Sequence, residues 1–379
     1  AFTPTLTLPL EGGGCFLNDF NQLIPSPQGE RVRVRGGYPD LLTRYVKAND
    51  GMFCRGRLGM KFTEIRTYLS VAFLVASLIM GGCAVTKPRM PPLASVDGVP
   101  GHFRMGRIIH LKTGKSLSFD RFIDQLESKD LIFIGEKHDN PEHHLIQVQI
   151  LQALMARYGD LSVAMEFFQE PQQPALDRYM EGTSTETAFL KDVDWHKSWS
   201  FDYCFYRPLI FMLREKGGRI HAINAPNDII KKVARSGLDS LKPDERNQLA
   251  KEIDLDNEKH RAYLRDVYNQ HTSQNLKKFD YFYQAQCVWE DTMAENIAGY
   301  LKKNEQRLVV FAGNGHIVNR YGIPDRTLKR IPVTMATIVL YPLTGRETIK
   351  KETADYVWLT GDCSRRHFMG PHKHASPQP

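Results

Sequence analysis

Short runs of consecutive apolar residues recur through the middle of the chain, each ending in a glycine or a polar residue. Leu131-Ile132-Phe133-Ile134, Ser162-Val163-Ala164-Met165-Glu166, Arg219–Asn224, Leu308–Ala312 and Val333–Tyr341 have the length and composition of strands buried on both faces. Between them lie stretches with helical spacing, from Asn140-Pro141 to about Arg157 and near 171–181, 184–192 and 204–216. Asn140 suits a helix cap and Pro141 the first helical position. Ser118 caps a shorter helix around Phe119–Leu126, and Phe103–His110 alternates like a strand before a turn at Lys112–Lys115. Residues 227–303 are helical in pattern and contain no buried-strand run. Strands alternating with helices predict the α/β class. The expected architecture is a mostly parallel sheet flanked by helices, with a helical insertion at about 227–303 between the third and fourth core strands.

The ends of the chain read differently. Residues 1–59 hold a Pro/Gly/Arg-rich stretch with no sustained period, and are read as translated upstream sequence or a disordered extension. Residues 60–83 run from Met60-Lys61 through an apolar segment, Tyr68–Met80, to Gly81-Gly82-Cys83. A basic start, a short apolar core and small residues before a cysteine resemble a bacterial lipoprotein signal, with Cys83 as the lipidated residue. Ala84 follows, without an aspartate to suggest retention at the inner membrane, so the expected location is the outer membrane, facing the periplasm. Residues 84–100 are Pro-rich and read as a tether. The domain proper is expected over 101–345, and 346–379 as a polar, disordered tail carrying His367, His372 and His374.

Charge changes little. The net charge is +7, but nine Lys or Arg and six Asp or Glu precede Cys83, which leaves +4 for the remainder. Without a basic stripe interleaved with aromatics, nucleic-acid binding is excluded as an expectation. Of the six cysteines, only Cys204, Cys287 and Cys363 lie beyond Cys83, with no C-x-x-C spacing, so a thiolate metal site is not expected.

The candidate chemistry sits where the apolar runs end. In open α/β sheets ligands bind at the carboxyl ends of the strands. The runs there end in Gly135-Glu136-Lys137-His138, Glu166, Asn224 and Gly313-Asn314-Gly315-His316. Two Gly-x-x-His segments, each directly after a buried strand, mark the site, and the glycines are expected to let the backbone bend sharply. Glu136, His138, Glu166 and His316 are metal ligands by type, suited to a divalent ion, and with a metal-activated water they would make a hydrolase or peptidase. His143-His144 follow in the first helix, one expected buried and the other solvated. Tyr203-Cys204-Phe205-Tyr206-Arg207-Pro208 offers a phenol beside a guanidinium, which favours the ionised form that can ligate ferric haem. An ordinary amphipathic role for Tyr206 stays open.

Taken in order, several blocks resemble the ChaN-like haem-binding lipoproteins of the Tiki superfamily. They are Ile134–His144, Ala164-Met165-Glu166-Phe167-Phe168, Tyr206-Arg207-Pro208-Leu209, Ala222–Pro226, Trp289-Glu290-Asp291-Thr292-Met293-Ala294 and Ala312–His316. The resemblance implies a haem-binding protein of iron uptake, anchored to the membrane by its lipid. It also implies a homodimer in which two haems stack face to face, each iron held by one tyrosine. Tyr206 with Arg207, and His138 and His316, are the residues it assigns to the cofactor, with Tyr203, Tyr281, Tyr283 and Tyr321 in reserve.

Overall fold

The computed structural model describes residues 91–159, 161–270, 278–304 and 306–362. The expected leader, with Cys83, and the segments 1–59 and 363–379 lie outside the described residues.

Strand β1 (Leu93–Val96) is followed by β2 (Ile108–His110) and β3 (Lys115–Leu117). Helix α1 (Phe119–Gln125) then starts at Ser118, whose side chain accepts a hydrogen bond from the Arg121 amide. Next come β4 (Leu131–Glu136), α2 (Pro141–Tyr158) and β5 (Ser162–Gln169). Helices α3 (Gln173–Met180), α4 (Glu186–Asp192), α5 (Trp195–Ser198) and α6 (Tyr203–Glu215) lead to β6 (Arg219–Asn224). The helical block after it contains α7 (Asn227–Ser236), α8 (Pro243–Arg246), α9 (Glu258–Gln270) and α10 (Phe279–Leu301). The chain continues through β7 (Leu308–Gly313), α11 (Ile323–Arg330), β8 (Met335–Leu343), β9 (Arg346–Ile349) and β10 (Tyr356–Gly361).

Among the described residues, eight strands form one sheet in the order β3-β2-β10-β8-β4-β7-β5-β6. From β10 to β6 every neighbouring pair is parallel, while β2 and β3 extend the sheet antiparallel. The apolar runs are continuous because both faces are covered. Ile132, Ile134, Val163, Met165, Val309 and Phe311 pack towards α2, α3 and α6. The alternate residues Leu131, Phe133, Ala164, Leu308 and Val310 pack towards α10 and α11.

Two expectations about the ends are corrected. The tether contains β1, which pairs parallel with β9. The polar tail contains β9 and β10, and Tyr356-Val357-Trp358-Leu359-Thr360 are buried beside β8. That run is as apolar as the other buried strands, but the charged and polar stretch Arg346–Asp355 precedes it and makes the whole segment read as a tail. The strand expected over Phe103–His110 is confined to its last three residues.

Candidate functional site

Strands β4 and β7 are neighbours in parallel register, with Glu136 opposite Gly313. This alignment brings the two Gly-x-x-His segments side by side at the carboxyl edge. Neither Gly135 nor Gly313 adopts a positive φ, so the expected sharp bend is not their role. They provide space instead. A Cβ on Gly135 would stand 2.2 Å from Asn314 Oδ1, and a Cβ on Gly313 would stand 2.8 Å from His138 Nε2. Each glycine makes room for a side chain of the other segment.

Glu136 is buried, and its carboxylate is the hub of the first half of the site. His138 Nδ1 lies 2.7 Å from Oε1, the Tyr206 hydroxyl donates to the same oxygen at 3.1 Å, and Gln147 Nε2 donates to Oε2 at 2.7 Å. His144 Nδ1 stands 3.4 Å from Oε2, and its Nε2 faces the His138 carbonyl at 3.1 Å. Burial alone would raise the Glu136 carboxyl, but His144, His138 and Gln147 outweigh it and bring it down to about 2. Glu136 is therefore an anion, and His138 Nδ1 carries the proton between them. Asn140 sets the entry into α2, its side chain accepting from the Glu142 amide, and so carries His143, His144 and Gln147 inwards. Both histidines of that pair are buried. His143 serves structure, accepting from the Lys137 amide at 2.8 Å and facing Thr360 Oγ1 at 2.9 Å, and burial drives it down to about 3.

Glu166 and His316 form the second half. Glu166 Oε2 accepts from the Gly313 amide at 2.6 Å, while Oε1 faces His316 Nε2 at 3.5 Å. The other His316 nitrogen, Nδ1, lies 3.1 Å from Glu290 Oε1. Burial disfavours a charged His316, yet the two flanking carboxylates prevail and carry it up to about 10. Glu290 extends the network, with His260 Nε2 at 3.3 Å and Arg326 Nε at 3.4 Å, and Arg326 also bonds Asp291. Asn224 ties the remaining strand end in. Its Nδ2 donates to the Glu166 carbonyl at 2.7 Å, and its Oδ1 accepts from Trp289 Nε1. Glu290 and Arg326 were not singled out from sequence. The only signal was the Trp289-Glu290-Asp291 block, whose chemistry depends on a helix packing against the strand ends.

The four residues expected to hold a metal thus meet, but as carboxylate–imidazole pairs. Among the described residues, no group of three or more His, Cys, Asp or Glu is arranged to hold a metal ion. The haem candidates are scattered. Tyr206 lies inside the protein, edge-on to His144 and tilted against Phe167, with its hydroxyl on Glu136. Burial and the Glu136 charge push its phenol well above the ordinary value. Arg207 does not offset this, because its guanidinium pairs with Glu186 at 2.9 Å. Tyr203 and Tyr283 are buried as well, whereas Tyr281 and Tyr321 reach the surface in part. Tyr321 lies beside the second half of the site, its ring 6.4 Å from those of His260 and Tyr263.

Comparison with solved structures places this arrangement among known folds. ChaN of Campylobacter jejuni, described with cofacial haem binding, is 19% identical, with a TM-score of 0.54 over 66% of this chain and 95% of that one. The likeness shows the fold. An EreC erythromycin esterase mutant in its open conformation follows at 13% identity and a TM-score of 0.39, over 59% of this chain and 72% of that one. The C-terminal region of Pasteurella multocida toxin gives 12% identity and a TM-score of 0.36, over 59% and 25%. No curated protein matches the sequence. The model of the family described as haem-binding uptake, Tiki superfamily, ChaN, matches residues 122–327, more than half of the chain. The chain belongs to that family.

Proposed function

We propose that this protein binds haem for iron uptake, as a homodimer held to the periplasmic face of a bacterial outer membrane by a lipid on Cys83. Family membership over residues 122–327 is the observation that carries the haem reading. The dimer follows the family resemblance, and the anchor follows the pattern Met60–Cys83.

A phenolate that holds ferric haem must reach the cofactor and lose its proton. Tyr206 fits neither need, since its hydroxyl is enclosed and already donates to an ionised carboxylate. Tyr321 fits better. It is partly exposed and borders the strand-end network. In this reading Tyr321 would hold the iron, beside His260 at the edge of the Glu290 network. Haem would supply the iron centre.

Hemin titration of the purified full-length protein tests the proposal. Saturable binding with a ferric-tyrosinate spectrum is expected, lost in Tyr321→Phe and kept in Tyr206→Phe. A flat titration would remove the haem reading, and loss of the spectrum only in Tyr206→Phe would move the ligand to that residue.

A further inference from the structure

Cys204 and Cys287 are the cysteines among the described residues, and they stand in opposite states. Cys287 is a free thiol buried on α10, where its sulfur accepts from Arg326 Nη2 at 3.1 Å. Cys204 is half-buried in the first turn of α6 and bonded in a disulfide, with the partner sulfur outside the described residues. Contacts along α2 narrow the choice of partner. Asn140 Nδ2 donates to the Gly361 carbonyl, and the Gly361 amide donates to Glu142 Oε2, both at 2.9 Å. Lys137, just before the helix, pairs with Asp362 at 2.9 Å. Further along the same helix, the His144 ring stacks on Phe205, with 5.1 Å between centroids and 4° between planes. The neighbour of Cys204 and the last described residues therefore meet α2 about one turn apart, roughly 5.4 Å of rise.

We propose that Cys363 is the partner, and that the Cys204–Cys363 disulfide straps the chain beyond β10 to the start of α6. Cα atoms joined by a disulfide stand about 4.4–6.8 Å apart, and one extended residue covers about 3.3–3.6 Å. Cys363 follows Asp362 directly, so it has that reach. Cys287 does not, because α10 covers the opposite face of the sheet from α6. Cys15 and Cys54 precede the leader, and Cys83 carries the lipid in the reading above, on which this part of the elimination rests. Closing the bond joins the two Sγ atoms and releases two protons and two electrons. A protein disulfide of the oxidising compartment accepts them and becomes a dithiol. Such a bond persists outside the reducing cytosol, in keeping with export. It anchors the helix that carries Tyr206 onto Glu136, so reduction loosens the first half of the site from outside. The bond is independent of haem.

The test is peptide mapping of the full-length protein equilibrated in a glutathione redox buffer, with free thiols alkylated before digestion. A linked peptide pair holding Cys204 and Cys363 is expected, and dithiothreitol should abolish it. In native Cys363→Ser, Cys204 should become open to alkylation, while Cys287 reacts only after unfolding. Dithiothreitol should also lower the wild-type Tm to that of Cys363→Ser and leave the variant's own Tm unchanged. Cys204 found as a free thiol, or joined to a second chain, would overturn the proposal. So would a wild-type Tm that dithiothreitol does not move, because the bond would then strap nothing. A Cys204–Cys83 pair would overturn both this bond and the lipid on Cys83. An unlipidated Cys83 beside an intact Cys204–Cys363 pair would remove the anchor and uphold the strap.

Discussion

His138 Nε2 occupies the space beside Gly313 so closely that a Cβ on that glycine would come within 2.8 Å of it. The glycine of the second segment is thus a condition for the histidine of the first, and the pair works as one unit. Gly313→Ala is expected to displace the His138 ring and destabilise the fold by about 1–3 kcal/mol, the usual range for overpacking a tight interior. Urea unfolding gives the stability change, and the His138 ring proton shifts report the displacement. An unchanged midpoint together with unchanged shifts would show that the contact is looser than the structure has it.

Tyr206→Phe removes one hydrogen bond from Glu136 and leaves a buried carboxylate oxygen with less support. The expected loss is about 1–3 kcal/mol, the range for an acceptor left short in the interior. Thermal melting measures it. The same variant discriminates the role of the residue: a structural phenol lowers the melting temperature and leaves hemin affinity intact.

Much of this arrangement was legible in the sequence because it rests on local signals. Strands buried on both faces must be apolar throughout, so Leu131–Ile134 and Leu308–Ala312 declared themselves, and the polar residue after each run located the sheet edge. What the glycines do was not legible, because it depends on β4 lying directly beside β7, a relation set by topology. Glu290 and Arg326 were hidden for the same reason. Glu290 meets His316, and Arg326 meets Glu290, only because α10 and α11 pack over the strand ends, and a charged residue on a helix usually faces solvent. Tyr206 was misleading in a physical way. Its neighbour in sequence, Arg207, points to Glu186 on another helix, while Glu136, distant in sequence, meets its hydroxyl.

Stability should depend on pH in a manner set by the two buried halves. His316 titrates at about 10 in the folded protein, against 6.5 ordinarily. A raised imidazole stabilises the fold fully below 6.5, and the contribution is lost as the pH climbs towards 10. Glu136 sits at about 2 against 4.5, so its contribution is present above 4.5 and lost as the pH falls towards 2. His143, driven down to about 3 against 6.5, adds a contribution that is full above 6.5 and lost as the pH falls, so the three groups together predict a maximum near pH 6.5 with decline on both sides. Urea midpoints on both sides of that maximum check it, and Glu290→Gln should flatten the alkaline limb by lowering the His316 titration, followed by NMR.

Arg326 is nearly as buried as the sheet core, yet it serves acceptors on three segments. Its guanidinium meets Glu290 and Asp291 on α10 and the Asp254 carbonyl at 3.1 Å, with His260 Nδ1 at 3.3 Å. Removing one partner of such a buried set strands the remaining charges, which typically costs about 3–5 kcal/mol. Arg326→Met is expected to fall in that range. Arg326→Lys should recover only part of the loss, because a single ammonium cannot reach acceptors that a planar fork spans. Pairing Arg326→Met with Glu290→Gln removes the stranded carboxylate, so the double variant should be less destabilised than the sum of the singles. Strict additivity in urea unfolding would show instead that Glu290 is held by His316 and His260 alone, and that Arg326 secures only the Asp254 segment.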